Sequence, residues 1–136
     1  MNLFLSVPIK SRETMKIECN LFSPNKATSR EIVLLIDTGA SRTAISRKQL
    51  QALKYTNIKK DPAPKRTVSG LVYLDMVKVS YLAIGGEFAF SNFNINLLDW
   101  EDSSFHGIIG MDILSQVYFK SDKKNFVMQR EAFQGN

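Results

Sequence analysis

Alternation of apolar and polar residues is the feature that most constrains how this chain can fold. It runs through residues 15–21, where Met, Ile, Cys and Leu alternate with Lys, Glu and Asn, and it returns in 77–81 and 93–97. Because successive side chains of a β-strand point to opposite faces, each stretch predicts a strand with one buried face. Residues 31–36 are almost continuously apolar, which predicts a strand buried on both faces. We therefore predict a mostly β, mainly antiparallel protein with a barrel or sandwich architecture.

Helical patterning is scarce. The spacing of Ser46 and Gln49 has the form of a capping box and predicts a short helix from Arg47 to Lys54. A shorter helical turn is expected from Met111 to Gln116. The pair Gly85-Gly86 lies between two strand-like stretches and predicts a tight hairpin. Two loops are expected, over 56–66 and 99–104.

The length of 136 residues predicts a single domain over 1–136, and an apolar content of 44% is enough to build a core. Cys19 is the sole cysteine, so no internal disulfide can form, and we expect its side chain in the core. Cysteine usage favours the cytoplasm or another reducing compartment. Residues 1–9 lack a basic leader, and no stretch approaches the ~20 apolar residues of a membrane span. We expect no membrane segment in this chain, which is equally compatible with a soluble fragment of a larger protein.

The net charge of +5 would suit an acidic partner such as a nucleic acid. The 18 basic residues are nevertheless spread along the chain without the clustered patch typical of nucleic-acid binders, so we expect no nucleic-acid partner. No cluster of Cys and His residues has the spacing of a metal site, so we predict neither a metal nor another cofactor.

The stretch most informative about function is Leu35-Ile36-Asp37-Thr38-Gly39-Ala40. An Asp-Thr-Gly sequence taken alone is common in turns. Here the apolar residues before it would place the Asp37 carboxylate at the end of a buried strand, where a charge is costly unless it is hydrogen-bonded or paired. Thr38 and Gly39 could supply a hydroxyl and a backbone N–H to hold it.

A second apolar stretch ends in glycine at Ile108-Ile109-Gly110 and is followed by a predicted helical turn. Asp112, near the start of that turn, is explained as a capping and dipole partner of the helix, and we do not predict it to be catalytic. His106 is interpreted as an ordinary loop residue. Trp100 and Phe105 either line a pocket or cap the barrel.

Taken together, these segments resemble the retropepsin-like aspartic proteases over roughly Ile32 to Val127. The Asp-Thr-Gly-Ala sequence at Asp37, the Ile108-Ile109-Gly110 strand with its following helix, and a glycine-containing hairpin tip at 67–71 stand in the order that this family shows. The resemblance implies an acid-protease-type closed barrel of antiparallel strands, with one or two short helices and a β-hairpin flap. The tail, Val117 to Met128, resembles the strand-turn-strand ending of cellular and bacterial members.

The resemblance also implies an aspartic endopeptidase in which two subunits of a homodimer each supply Asp37 to activate a water molecule. Thr38 would hydrogen-bond across the two-fold axis and Gly39 would contact the substrate backbone. An extended polypeptide would be the substrate. The implied substrate-binding residues are Leu35, Ala40, Ser41, Arg42, Ser69, Gly70, Leu71 and Ile108.

Two departures from the viral pattern concern substrate binding. Ser41 and Arg42 stand where viral enzymes usually carry two acidic residues, and the predicted flap tip has a single glycine, Gly70. The alternative function is a catalytically weak or inactive peptide-binding or regulatory module with the same fold. An unrelated small β-barrel is a further alternative.

Overall fold

The computed structural model describes residues 4–8, 15–121 and 124–130. It contains twelve strands and two short helices in this part of the chain. The strands are β1 Phe4–Pro8, β2 Lys16–Phe22, β3 Ser29–Ile36, β4 Ala44–Ser46, β5 Lys59–Lys60, β6 Lys65–Thr67, β7 Gly70–Val72, β8 Asp75–Ile84, β9 Phe88–Leu98, β10 Gly107–Ile109, β11 Tyr118–Ser121 and β12 Asn125–Gln129. The helices are α1 Arg47–Ala52 and α2 Met111–Leu114.

Six strands close into a barrel in the order β2-β3-β10-β4-β9-β8, because β8 also pairs with β2. The mostly β fold class and the closed barrel are therefore confirmed. The barrel is not antiparallel throughout: β10 lies between β3 and β4 and runs parallel to β3, and β4 runs parallel to β9. Local alternation reports which side chains are buried and carries no information on the direction of the neighbouring strand, so these two parallel pairs were not predicted.

The core fills the barrel with aliphatic side chains. On β2, Ile17, Cys19 and Leu21 are fully buried, as their alternation predicts. On β3, residues 32, 34 and 36 are buried while 33 and 35 are half-buried, so the prediction of a strand buried on both faces is wrong for its outer face. Burying these apolar side chains, at roughly 1.5–3 kcal/mol each, is the main force that closes the barrel.

The inward positions on β8 change along the strand. Val77 and Val79 are buried, but Tyr81 is half-buried, and the next buried apolar residues are Leu82 and Ile84. The strand pairs with β5 near its beginning and with β2 near its end, so its two halves have different neighbouring strands.

Two local predictions need correction. Ser46 makes no side-chain capping bond, and Gln49 instead accepts a hydrogen bond from Arg30 and donates one to Glu101, so the predicted capping box does not form. Helix α1 ends at Ala52, two residues before the predicted end, and α2 likewise ends two residues early. The predicted loop over 56–66 contains β5 and the first residues of β6.

The remaining predicted elements are present. Gly85 and Gly86 have φ values of 59° and 75°, which is the conformation expected at the tip of a tight hairpin between β8 and β9. Strands β11 and β12 pair as the predicted strand-turn-strand ending, and with β1 they form a separate three-stranded sheet. Residues 1–3 and 9, within the stretch 1–9 that we expected to carry no leader, lie outside the described residues. No helix in the described part of the chain is long and apolar enough to cross a membrane.

Candidate active site

The Asp37 carboxylate lies where the apolar strand β3 ends. The Asp37 backbone N–H donates to the Ile109 carbonyl at 2.9 Å, and this bond joins the end of β3 to β10. The Gly39 N–H donates to the Asp37 carboxylate Oδ1, also at 2.9 Å. A Cβ at position 39 would lie 3.3 Å from that oxygen, so glycine permits this close approach. Asp37 as a residue is half-buried, and one oxygen of its carboxylate is held by the backbone of its own turn.

The turn after Asp37 is held in place by the residues that follow Gly110. The Met111 N–H donates to the Ala40 carbonyl at 2.7 Å, and the Asp112 N–H donates to the Ser41 carbonyl at 3.2 Å. A Cβ on Gly110 would lie 2.7 Å from a backbone atom of Arg42, closer than non-bonded atoms approach. Glycine at position 110 therefore lets the two segments that the sequence singled out pack backbone against backbone.

An open cleft of about 390 Å³ borders the Asp37 turn. Six of the predicted site residues line it, namely Asp37, Gly39, Ala40, Ser41, Arg42 and Ile108. Five further lining residues were not predicted, namely Ala44, Lys65, Leu74, Asn96 and Leu98. They come from β4, β6, β9 and the connection before β8, and only the tertiary structure brings these segments to the turn.

The other predicted site residues lie outside the cleft lining. Thr38 is exposed at the turn. Leu35 is half-buried on β3 and pairs in parallel register with Ile108. Ser69, Gly70 and Leu71 belong to the exposed hairpin formed by β6 and β7.

That hairpin stands away from the core. The Thr67 hydroxyl donates to the Gly70 carbonyl at 2.9 Å and accepts from the Ser69 N–H at 3.2 Å, which closes the tip. Gly70 has a φ of 119°, a conformation open to glycine but unfavourable for other residues. Leu71 is 57% exposed, and at the base of the hairpin the Lys65 ammonium donates to the Ser41 hydroxyl at 2.8 Å. The hairpin thus contacts the Asp37 turn at its base and presents an apolar tip to solvent.

A buried polar cluster lies behind the cleft. The Asp61 carboxylate, 1% exposed, accepts hydrogen bonds from the Asn96 side chain at 2.8 Å and from the Ala63 N–H at 2.9 Å. The Arg42 guanidinium lies 3.5 Å from the same carboxylate. Burial alone would raise the pKa of Asp61, but the hydrogen bonds and the positive charges of Arg42 and Lys65 outweigh it, so the pKa lies below its usual value.

Comparison with known proteins agrees with this geometry. The family model of aspartyl proteases matches residues 25–113, which include the Asp37 turn, the hairpin and the Gly110 segment. The chain belongs to this family. Its fold is similar to that of a retropepsin-like aspartic protease from Rickettsia conorii, with a TM-score of 0.70 and 20% identity over 95% of this chain and 92% of that chain. No curated protein sequence matches the chain.

In this aspartyl protease family member, Asp112 binds the loop beneath the cleft. Its carboxylate accepts two hydrogen bonds from the Thr43 backbone N–H at 2.9 Å and one from the Thr43 hydroxyl at 2.8 Å. It also accepts from the Ile113 N–H, in the first turn of α2, at 2.9 Å. The Thr43 hydroxyl in turn accepts from the Gly110 N–H at 3.1 Å. The position of Asp112 in the first turn of α2 agrees with its interpretation as a dipole partner of the helix. Most of its hydrogen bonds go instead to Thr43, a contact that was not predicted.

His106 makes a structural hydrogen bond that the prediction of an ordinary loop residue did not include. Its Nδ1 atom accepts a hydrogen bond from the Val33 N–H at 3.0 Å, and its own backbone pairs with Val33 and Ser46. The side chain thus joins β3 to the residues that enter β10, and it lies outside the cleft lining. This contact could not be predicted, because the sequence around a single histidine does not show whether its side chain is hydrogen-bonded or exposed to solvent.

Trp100 and Phe105 pack edge to face with their ring centroids 5.9 Å apart, and Trp100 remains 56% exposed beside α1. Cys19 is buried, as predicted, and desolvation raises the pKa of its thiol to about 12, with a smaller contribution from Glu18. The thiol is therefore unsuited to act as a nucleophile. Among the described residues, no group of three or more His, Cys, Asp or Glu side chains could hold a metal ion.

Proposed function

We propose that this chain is an aspartic endopeptidase that acts as a homodimer, with Asp37 of each subunit forming the catalytic pair. The observation that carries the proposal is the Asp37 carboxylate itself, which sits at the edge of an open cleft and is held by the Gly39 N–H. Family membership supports a protease-type function for this site.

The carboxylates at the cleft support the proposed homodimer. Of the residues that line it in the described part of the chain, Asp37 alone carries a carboxylate. The two nearby carboxylates are engaged elsewhere, Asp61 with Asn96 and Arg42, and Asp112 with Thr43. A second Asp37 from another copy is the simplest source of the partner that the chemistry needs, and a two-fold axis would supply it. The exposed position of Thr38 suits a hydrogen bond across that axis.

In the proposed mechanism, two Asp37 carboxylates a few ångströms apart share one proton, because like charges at that distance cannot both ionise. The ionised carboxylate takes a proton from a water molecule, which attacks the scissile carbonyl carbon. The protonated carboxyl donates its proton to the carbonyl oxygen, which gives a tetrahedral intermediate. The proton taken from water then passes to the leaving nitrogen as the C–N bond breaks, and the other carboxyl recovers its proton from the intermediate as the product carboxylic acid forms. The Gly39 N–H stabilises the charged form of the carboxylate to which it donates.

The substrate would be a polypeptide in an extended conformation. Gly39, Ala40 and Ser41 would present backbone and small side chains along the cleft, and Arg42 and Ile108 would shape its walls. Leu35 lies outside the lining and would support the wall through its pairing with Ile108. The hairpin carrying Ser69, Gly70 and Leu71 would close over the peptide and exclude water, which strengthens the electrostatic interactions inside.

The test is digestion of a complex peptide library by the purified protein and by its Asp37→Asn variant. Asparagine has nearly the same size but can neither take nor share the proton. We expect cleavage by the wild type and a loss of at least about 10³-fold in the variant, since both acid and base steps fail. The two proteins should have the same circular dichroism spectrum.

Two results would contradict the proposal. Cleavage by Asp37→Asn at a rate near that of the wild type would remove Asp37 from the mechanism. Peptide binding without cleavage by the wild type at any pH would favour the alternative, a peptide-binding module with this fold.

A further inference from the structure

Lys65 is a cation at the cleft that no sequence pattern identified. It is the first residue of β6, its side chain is half-buried, and it lines the same cleft as Asp37. Its ammonium donates a 2.8 Å hydrogen bond to the Ser41 hydroxyl, four residues beyond Asp37. The charge is therefore placed beside the turn that carries the catalytic carboxylate.

The two cations that line the cleft differ in how they are neutralised. Arg42 has Asp61 at 3.5 Å, and that carboxylate is fixed by Asn96 and Ala63. Lys65 takes part in none of the salt bridges found among the described residues, and its one hydrogen bond there goes to an uncharged hydroxyl. Arg42 therefore has a carboxylate at salt-bridge distance, whereas the Lys65 ammonium has none among the described residues, and Asp37 is the carboxylate of the cleft lining itself.

The donors that face the cleft would suit an incoming carboxylate. An ammonium group has three N–H donors, and Lys65 uses one of them on Ser41. The Ser41 hydroxyl accepts that bond and keeps its own O–H to donate. A carboxylate can accept from both groups, and hydrogen bonds with a charged partner are stronger than neutral ones.

We propose that Lys65 and Ser41 form a subsite that selects an acidic side chain, Asp or Glu, close to the bond that is cleaved. The proposal rests on the proposed protease function and names its substrate class. Lys65 is the specificity-determining residue, because it carries the charge, and Ser41 is its hydrogen-bonding partner. An amide side chain of the same shape would meet the same donors without the charge and would bind more weakly.

The experiment is digestion of a peptide library by the wild type, with sequencing of the products, alongside Lys65→Met, Lys65→Glu and Lys65→Arg. We expect the wild type to enrich Asp and Glu at one position near the cut by about fivefold over Asn and Gln, the size of one partly exposed charged contact. Lys65→Met should abolish the enrichment, Lys65→Glu should replace it by a preference for Lys and Arg, and Lys65→Arg should retain it. Lys78→Met removes an exposed lysine from β8, outside the cleft lining, and should leave the preference unchanged.

Two outcomes would overturn the subsite while leaving the protease intact: cleavage with no acidic preference, or an acidic preference that persists in Lys65→Glu. Loss of cleavage in Lys65→Met, Lys65→Glu and Lys65→Arg alike would also overturn it, because Lys65 would then serve only to fasten the hairpin to Ser41.

A binding measurement keeps the subsite testable if no peptide is cleaved. Two pools of fluorescein-labelled random octapeptides are titrated with Asp37→Asn protein, one pool containing Asp and Glu and the other Asn and Gln in their place. We expect the acidic pool to bind about fivefold more tightly, and Lys65→Met in the same background to remove the difference. Equal binding of the two pools would overturn the proposal, whatever the catalytic activity.

Discussion

At the scale of single residues, the buried Asp61 carboxylate supports two residues of the cleft. It neutralises Arg42 and holds Asn96, and both of these residues line the cleft. Asn96 donates to Asp61 through its amide nitrogen, while its own carbonyl oxygen is buried without a protein partner. Removal of the Asp61 charge would leave Arg42 without its counter-ion and would weaken the hydrogen bond that holds the Asn96 side chain beside the cleft.

The first prediction concerns the pH dependence of stability. The pKa of Asp61 is lowered in the folded protein, so its contribution is present above the unfolded value of about 3.9 and is lost as the pH falls through the folded value. We expect Asp61→Asn to lower the free energy of unfolding by about 2 kcal/mol near neutral pH. The difference from the wild type should shrink as the pH falls below about 4. Urea unfolding at several pH values measures it.

A matched control is Asp99→Asn, which removes a carboxylate that is 76% exposed in its ion pair with Arg47. Such an exposed pair should contribute well under about 1 kcal/mol, so this variant should follow the wild type at each pH. A constant difference between Asp61→Asn and the wild type down to strongly acidic pH would show that Asp61 acts by packing and not by charge.

At the scale of elements, the β6–β7 hairpin depends on the backbone of its tip. Gly70 has a φ of 119°, and a Cβ added there would meet no atom within 4 Å. A substitution would therefore strain the backbone without any steric clash. Gly86, at the tip of the β8–β9 hairpin, has a φ of 75° and equally open surroundings. These two glycines thus mark two exposed hairpin tips, of which one belongs to the proposed flap.

We expect Gly70→Ala to reduce kcat/KM by about tenfold, because a strained φ costs roughly 1–2 kcal/mol and would displace the closed hairpin. Gly86→Ala introduces similar strain at a tip outside the cleft and should leave kcat/KM within about twofold. Thermal unfolding should report a small loss of stability in both variants. Equal losses of kcat/KM in the two variants would show that the hairpin has no special role in turnover.

At the scale of the whole molecule, the proposed function needs two copies of the chain. If the catalytic pair is shared between subunits, activity per chain must fall when the protein is diluted below the dimer Kd. Thr38 is the residue to change, because it is exposed on the Asp37 turn and the family resemblance implies hydrogen bonds across the two-fold axis.

We expect Thr38→Ala to weaken dimerisation at least about fivefold, since each lost hydrogen bond costs roughly 1 kcal/mol. Thr38→Ser keeps the hydroxyl and should be much milder. Analytical ultracentrifugation across a dilution series, run beside an activity assay, measures both quantities. Full activity per chain in a sample that is wholly monomeric would contradict the shared catalytic pair.

Part of this molecule could be predicted from sequence because the relevant physics is local. Alternation identified the β class, and the buried positions of β2 follow it residue by residue. The two glycine-containing segments around Asp37 and Gly110 were recognised by their resemblance to a known family. The structure gives the physical reason for the glycines, because a Cβ would crowd the Asp37 carboxylate at position 39 and the Arg42 backbone at position 110. The single domain and the reducing compartment stay predictions.

The tertiary structure decided what depends on contacts between distant segments. Asn96 stands at a position of β9 where the alternation predicts an exposed polar side chain. It is buried instead, and Asp61, 35 residues away, provides its hydrogen-bonding partner. Gln49 has the spacing of a capping residue but bonds to Arg30 and Glu101. In the sequence, Lys65 is one of several charged residues in a predicted loop. Its contact with Ser41 depends on the position of the β6–β7 hairpin in the fold.

By itself, then, the sequence indicated the β class through local alternation, and its resemblance to the retropepsin-like family, carried jointly by the segments at Asp37, 67–71 and Gly110, indicated the candidate carboxylate. The parallel insertion of β10 between β3 and β4, the buried Asp61 cluster and the positive charge beside Ser41 were decided by the tertiary structure. Their energies depend on strand pairing and desolvation between segments far apart in sequence, and no local pattern of residues records those terms.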